Sequence, residues 1–533
     1  MAADRTREKE KIQLGFFTGE TNVSENPALI SSDRHLQRED LDDQTARAAQ
    51  GLRDMGIKPG NAVAMLVRND FPFFEVSFAA QAIGAYSVPV NWHLAPAEVT
   101  HILEDCDAKV LIAHADLYNS MGAAVPGHIP VLLIPTPPEL QAAYGLDDAA
   151  CALSEGAEVW GQWLADHPPI EDRYPKVPWS MMYTSGTTGL PKGVRREMQD
   201  PESAAKVLAL RDEVYGLGPG VRSIIAGPLY HGAPNNFSTR SVQVGETLVM
   251  MPRFDAEEFL ALVEEHRIHA AFMVPVMFVR LLELPEEVRR KYDLSSLRQI
   301  THAAAPCPAE IKQAMVDWMG PIFTEFYAGT EGGYWTICHA EDWKNKPGTV
   351  GRVVDDATLK TLDDDGNATP IGEPGEIFGR LHTFSDFTYH NMPDERAKVE
   401  RDGLITLGDV GYLDEDGYLF LCDRKRDMVI SGGVNIYPAE IEAVLVQMDG
   451  VKDCAIFGIP DKEYGETLMA VVEPHAGITL DQNDLIAHLR GLLAGYKIPR
   501  HMEFRDSLPR GDDGKIYKRR IRDEYWKDSG RRI

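Results

Sequence analysis

The chain has 533 residues, 44% of them hydrophobic and 26% charged, with a formal net charge of -28 and a pI near 5.0. That length exceeds one ordinary core and suggests about three or four folding units, while so acidic a balance excludes nucleic acid or an anionic membrane as the main partner. Residues 1–13 are crowded with charge and lack the apolar core of a secretory signal, and no run approaches the roughly 18 apolar residues of a membrane span.

From about residue 36 to 115, helical and strand patterns alternate. Leu41 to Met55 has helical spacing at Ala46, Ala49, Leu52 and Met55, Ala62 to Val67 is a short apolar strand, and Phe73 to Ile83 is helical again. Such alternation predicts a mainly parallel sheet covered by helices. Between about 116 and 177 the pattern loosens around Pro135, Pro137, Pro138, Pro168 and Pro169, which reads as a connecting region. The six cysteines, Cys106, Cys151, Cys307, Cys338, Cys422 and Cys454, form no C-x-x-C pair, so they are expected to be reduced packing residues of a cytoplasmic protein.

Met181 to Val194 reads Met-Met-Tyr-Thr-Ser-Gly-Thr-Thr-Gly-Leu-Pro-Lys-Gly-Val. An apolar lead-in at Trp179 to Tyr183 predicts a strand, and the Ser/Thr/Gly run offers N–H and O–H donors that can wrap the phosphates of ATP. A Walker loop does not fit, because Pro191 interrupts the spacing and Gly193 follows Lys192. Pro191 and Gly193 disfavour a helix here and Val194 suits a returning strand, so a strand-loop-strand device is predicted. A plain polar turn is the alternative, but it needs only about four residues and no lysine.

Beyond it, Val221 to Ala226 is a strand running into a Gly/Pro-rich turn, Gly227 to Pro234, that carries His231. Open α/β sheets bind ligands at this edge, although a lone histidine is more often structural. Asp255 to Glu258 resembles a capping box for a helix with Phe259, Leu262 and Val263 on one face. A strand at Leu297 to Thr301 ends in His302 to Pro306, a helix from Pro308 closes at Gly320, and a strand at Ile322 to Tyr327 delivers Ala328 to Gly332. Ala303 to Pro306 and Thr330 to Glu331 thereby share one sheet edge, with small residues leaving a slot beside a carboxylate. Gly411 to Cys422 is a hairpin turning at Asp414 to Gly417. A Pro438-started helix with Ile441, Val444 and Leu445 inward, strands at Cys454 to Gly458 and Leu468 to Val472, and a helix with Leu485, Leu489 and Leu492 then form a small α+β domain.

In this order the motifs resemble those of the adenylate-forming superfamily of acyl-CoA synthetases, peptide-synthetase adenylation domains and beetle luciferases. The resemblance implies an α/β protein. A large N-terminal domain, 1–423, would have several subdomains with mainly parallel sheets covered by helices. A hinge at 424–426, centred on Arg426, would lead to a small mobile α+β domain, 427–533. It gives Thr184, Ser185, Gly186, Thr187, Thr188, Gly189 and Lys192 to the ATP phosphates. Ala303, Ala304, Ala305 and Pro306 go to the adenine ring, Tyr327, Ala328 and Gly329 to ATP/AMP binding, Thr330 to the α-phosphate, Glu331 to Mg²⁺, Asp409 to the ribose, and Arg424 to the ribose or phosphates. Magnesium accepts few carboxylates among phosphate oxygens, so one Glu suffices. Lys515, on the loop from Leu508 to Ile516, is the lysine implied for adenylation, although Gly511 and Asp513 stand where hydroxyl residues are common. Lys515, Glu331, Thr184 and His231 make the implied catalytic set. Tyr230, His231, Ala233, Asn235, Ala328, Gly329, Gly332 and Gly333 make the implied acyl pocket. Gly432, Gly433, Arg519 and Arg520 are assigned to coenzyme A, the last two within a basic cluster with Lys518 and Arg522 that also reads as a solvated tail.

The expected activity is a two-step ligation: a carboxylic acid and Mg-ATP form an acyl-adenylate, then a thiol displaces AMP. Neither Ser185 nor a cysteine needs to be acylated. The chain ends at Ile533 soon after Lys515, so free coenzyme A is expected as acceptor, with a stand-alone enzyme loading a separate carrier protein as the alternative. Acetate enzymes carry Trp where Ala328 stands, so a medium or long aliphatic, aryl or polycyclic acid is expected. A non-catalytic nucleotide-binding regulator would have to lack the set Glu331, Asp409, Arg424 and Lys515. Self-association as a homodimer stays open.

Overall fold

The computed structural model describes residues 26–174, 180–184, 191–197, 199–305, 307–425, 427–431, 434–461, 464–511 and 516–527. Ser185, Gly186, Thr187, Thr188, Gly189, Pro306, Arg426, Gly432, Gly433 and Lys515 therefore lie outside the described residues. The chain forms two compact units, one of Met1–Ala304, Gln313–Gly333 and Leu381–Val399, the other of Ala305–Lys312, Tyr334–Arg380 and Glu400–Ile533.

In the first unit, a sheet runs in the order Tyr86–Pro89, Ala62–Leu66, Ala108–His114, Val131–Ile134, Glu158–Val159, with every pair parallel. Ala62–Leu66 is buried throughout, as the continuous apolar run of a parallel strand covered on both faces requires. Helix Arg38–Asp54 buries Leu41, Ala48, Ala49 and Leu52. The expected connecting region is instead the flank of this sheet: it holds the last two strands and the helices Ala115–Met121, Pro138–Tyr144 and Trp160–Ala165. Strands of four and two residues are too short for a period to show.

A buried polar network crosses this region. His114 Nδ1 accepts from the Arg68 amide at 3.1 Å, which leaves Nε2 to donate to Asp70 Oδ2 at 3.0 Å. The other Asp70 oxygen takes Arg34 at 2.5 Å and caps helix Phe71–Ala82. Glu75, on that helix, is 3% exposed and accepts from the Trp160 indole at 2.6 Å. Burial pushes its carboxyl up to about 7.

A second sheet of this unit runs Phe323–Gly329, Gln299–His302, Ala270–Met273, Arg222–Ile225, Thr247–Met250, Leu29–Ser31, Arg34–Leu36, parallel except for the last pair. Thr301 pairs with Thr324 and His302 with Glu325, so the two strand ends meet at one edge as the pattern predicted. Two boundaries differ. The strand continues through Gly329, which confines the turn to Thr330–Gly332. The Gly/Pro-rich turn stops at His231, because Gly232–Val244 is helical. Pro234 is accommodated in its first turn, where backbone N–H groups lack helical partners anyway. Asp255 caps helix Ala256–Glu265 by accepting from the Glu258 amide at 2.9 Å, as its spacing predicted.

The second unit holds the sheet Ala357–Leu362, Gly375–Leu381, Leu404–Leu413, Glu400–Arg401, with Leu419–Arg424 closing the predicted hairpin through Tyr412–Phe420 and Leu413–Leu419 pairs. Its other sheet runs Val434–Ile436, Val429–Ser431, Gly465–Pro474, Val451–Asp461, with His501–Phe504 parallel to Gly465–Pro474. Ile441, Leu445, Leu485 and Leu489 are fully buried against it. Leu492, expected inward, is 60% exposed: it is the last helical residue, and the chain turns extended at Leu493.

Candidate active site

The two strands predicted to flank the loop are present. Met182–Thr184 pairs antiparallel with Lys192–Arg196, with Thr184 opposite Lys192, so residues 185–190 join two paired ends. Gly193 faces Tyr183 across this pair, and a Cβ there would come within 2.8 Å of the Tyr183 ring. Tyr183 is in turn held by donating to Asp105 at 2.6 Å. A third strand, Phe387–Tyr389, pairs with the outer edge, placing Tyr389 opposite Val194 and Phe387 opposite Arg196.

These strands converge on Glu331. Its Oε1 accepts from Thr184 Oγ1 at 3.3 Å and from the Tyr389 hydroxyl at 3.0 Å. Burial, then the neighbouring Glu331 charge, holds the Tyr389 phenol well above its ordinary range, so it stays a donor. Arg196 lies behind the turn: one guanidinium nitrogen donates to the carbonyls of Thr330 and of Glu331, the latter at 3.0 Å, and the other to Ser385 O at 2.7 Å. Its Cζ sits 4.0 Å from the Phe384 ring centre. Burial pulls this guanidinium down to about 9, against the pull of Glu331 and Asp386, and it remains charged at neutral pH.

Lys192 is buried and ion-paired with Glu395, its Nζ 5.2 Å from the centre of the Tyr389 ring. That contact holds the Glu395 carboxyl below its usual range. A Cβ on Gly232 would lie 3.5 Å from Thr330 Oγ1, so the His231 turn and the Thr330–Glu331 turn are neighbours. Ala303 is buried, and Ala304 has φ 76°, a left-handed conformation that side chains rarely adopt and that gathers at functional turns. Tyr327 is buried; Ala328 and Gly329 are half-buried.

Among the residues assigned to the acyl pocket, several have packing partners. Tyr230 meets Trp92 edge-on, 4.4 Å between ring centres, and His231 lies 4.5 Å from Tyr230. Asn235 is buried and donates to Leu229 O at 3.2 Å, and the Ala233 carbonyl accepts from Tyr215 at 3.4 Å. Gly333 has φ 71°, and a Cβ there would come within 2.6 Å of Phe384, so that ring fills the space its missing side chain leaves.

In the second unit Asp409 pairs in register with Arg424. Of the basic cluster, Lys518 is bonded to Glu442 at 2.7 Å, Arg519 lies 3.6 Å from Asp523, and Arg520 stacks over Tyr517. Arg196, Tyr389 and Glu395 were not anticipated from sequence. The pair Arg195–Arg196 in a returning strand was the available signal, since a buried cation must find acceptors. Among the described residues no group of three or more His, Cys, Asp or Glu side chains could hold a metal. A single carboxylate whose hydrogen bonds from Thr184 and Tyr389 both fall on Oε1 fits an ion held mostly by phosphate and water oxygens.

The profile of the AMP-binding enzyme family matches residues 18–383, and that of the AMP-binding enzyme C-terminal domain matches 440–515. The chain is 32% identical over 524 residues to the fatty acid–[acyl-carrier-protein] ligase ScoC of Streptomyces coeruleorubidus, covering 95% of each. It is 34% identical over 501 residues to a feruloyl-CoA synthase of an Amycolatopsis species, covering 91% of this chain and 93% of that one. The solved amide bond synthetase McbA of Marinactinospora thermotolerans superposes with a TM-score of 0.80 at 26% identity, over 93% of this chain and 96% of that one. No helix among the described residues is long and apolar enough to cross a membrane. With the family profiles covering most of the chain and the loop strands converging on Glu331, the chain belongs to the AMP-binding enzymes of the adenylate-forming superfamily and is of the acyl-CoA synthetase type.

Proposed function

We propose that this enzyme activates an apolar or aryl carboxylic acid with ATP and transfers the acyl group to coenzyme A. A carboxylate oxygen attacks the α-phosphorus, the bond to pyrophosphate breaks, and acyl-adenylate forms. The thiolate of coenzyme A then attacks the acyl carbonyl, and AMP leaves with the electron pair of the C–O bond. The observation that carries this reading is the convergence of Thr184 and Tyr389 on one oxygen of Glu331, at the end of a phosphate-loop strand pair.

This reading assigns the residue roles. Thr184 to Gly189 and Lys192 hold the triphosphate, and Thr330 donates to the α-phosphate. Asp409 and Arg424, opposite each other on their hairpin, take the ribose side. Glu331 would hold Mg²⁺, which would supply neutralisation of charge on the phosphate oxygens. His231 and Ala303 to Pro306 border the acid and the adenine. The division into 1–423 and 427–533 about Arg426 lets Lys515 serve adenylation, and Gly432, Gly433, Arg519 and Arg520 serve coenzyme A. Ala328 leaves room for more than an acetyl group, which agrees with relatives named for ferulate and fatty acids. Six free cysteines support a cytoplasmic enzyme. Homodimer formation is checked by light scattering.

A carrier-protein acceptor is the second reading, favoured by the likeness to ScoC. Acid-dependent exchange of labelled pyrophosphate into ATP over a panel of acids tests the first step. AMP release with coenzyme A alone, compared with release that requires a carrier protein, separates the acceptors. Exchange with no acid of the panel would discard the reading.

A further inference from the structure

We propose that Arg196 is a positioning residue for adenylation: from behind, its guanidinium fixes the Thr330–Glu331 turn, and so aims the Thr330 hydroxyl and the Glu331 carboxylate without touching substrate. This rests on the roles proposed above for those two residues. The arginine closes the strand Lys192–Arg196, whose partner Met182–Thr184 carries Thr184 and whose other neighbour carries Tyr389. Two elements that bear on Glu331 are thus tied to the backbone that presents Arg196.

The contacts are those a planar fork makes and a point charge does not. Two successive carbonyls, Thr330 and Glu331, share one nitrogen, while the opposite nitrogen reaches Ser385 O at 2.7 Å. The Phe384 ring lies 4.0 Å from Cζ and abuts Gly333, so it backs the cation on one side and the end of the turn on the other. The residue is 8% exposed. Burying a cation so that it bonds only to neutral carbonyls is an expensive way to gain stability, since apolar side chains of similar volume do as well or better. What the guanidinium supplies that they cannot is a fixed direction for two consecutive peptide planes. With those planes free to rotate, Thr330 Oγ1 and the Glu331 carboxylate no longer point together, and misplacement by about 1 Å costs on the order of 100-fold in rate.

The test uses the full-length enzyme and its two half-reactions: acid-dependent pyrophosphate exchange, and AMP release from supplied acyl-adenylate with coenzyme A. Arg196→Lys and Arg196→Met are expected to lower kcat for exchange by roughly 100-fold while the KM for acid and the thioester half-reaction stay within about threefold. In Arg196→Gly, added guanidinium or ethylguanidinium at millimolar concentration should restore exchange at least about tenfold and leave the wild type unchanged. Should Arg196→Met fail to fold, Arg196→Lys and the rescue of Arg196→Gly still decide. Wild-type exchange in a folded Arg196→Lys variant, or equal loss in both half-reactions with no guanidinium effect, would overturn the proposal. A wild-type enzyme without any acid-dependent exchange fails the functional reading itself.

Discussion

Glu75→Gln is expected to stabilise the first unit at alkaline pH and not at acid pH. Glu75 is 3% exposed, accepts from the Trp160 indole, and has its carboxyl pushed up to about 7 from an ordinary 4.5, first by burial and then by the nearby Asp70 charge. Between those two values the folded protein keeps a proton that the unfolded chain has released, so stability falls as pH rises through this window and levels off above it. At about 1.4 kcal/mol per pH unit, the gap amounts to about 3 kcal/mol. Glutamine preserves an oxygen for Trp160 and has nothing to ionise. Urea unfolding followed by tryptophan fluorescence, on both proteins at pH 5 and pH 8.5, reads the difference of differences, in which all other titrating groups cancel. Glu75→Gln should exceed wild type by about 2.5 kcal/mol more at pH 8.5 than at pH 5, where part of the loss has already occurred. An equal offset at both pH values would refute the reasoning.

Tyr389→Phe removes a hydrogen bond to a carboxylate, worth about 1.5–3 kcal/mol, so pyrophosphate exchange should fall roughly 10- to 100-fold with little change in the KM for acid. Glu395→Gln frees Lys192 from its ion pair, and the KM for ATP, measured by exchange, should drop about threefold because the phosphates no longer compete with a carboxylate. Ala328→Trp should reduce kcat/KM for aryl acids by about 100-fold or more while acetate is comparatively spared, read over the same acid panel. Gly193→Ala drives a Cβ into the Tyr183 ring, and thermal melting should report a loss of about 1–3 kcal/mol.

Much of the site's architecture was legible because local chemistry left few options. Pro191 and Gly193 ruled out a helix after the loop, and the paired strands follow. Asp255 signalled its helix by the spacing to Glu258, and strand order placed Ala303 and Glu331 at one edge. What was missed depends on pairings between distant segments. Phe387–Tyr389 is three residues long, too short to show a period, and nothing near Arg196 announces that its acceptors lie at Thr330, Glu331 and Ser385. Lys192 illustrates the same limit, since its pairing with Glu395 depends on where the distant Phe387–Tyr389 segment docks. The flank formed by Val131–Ile134 and Glu158–Val159 was read as linker because prolines obscured two very short strands.

The small ribbon of Met182–Thr184, Lys192–Arg196 and Phe387–Tyr389 also constrains biosynthesis. Arg196 and Ser385 are 189 residues apart, so at about 5–20 residues per second the ribosome needs about 10–40 s to deliver the outer strand after the inner one. During that interval the outer edge of Lys192–Arg196 is unpaired, and its arginine lacks the Ser385 carbonyl throughout and those of Thr330 and Glu331 for most of it. The nascent chain therefore carries an open strand edge and a cation short of acceptors until residue 389 emerges.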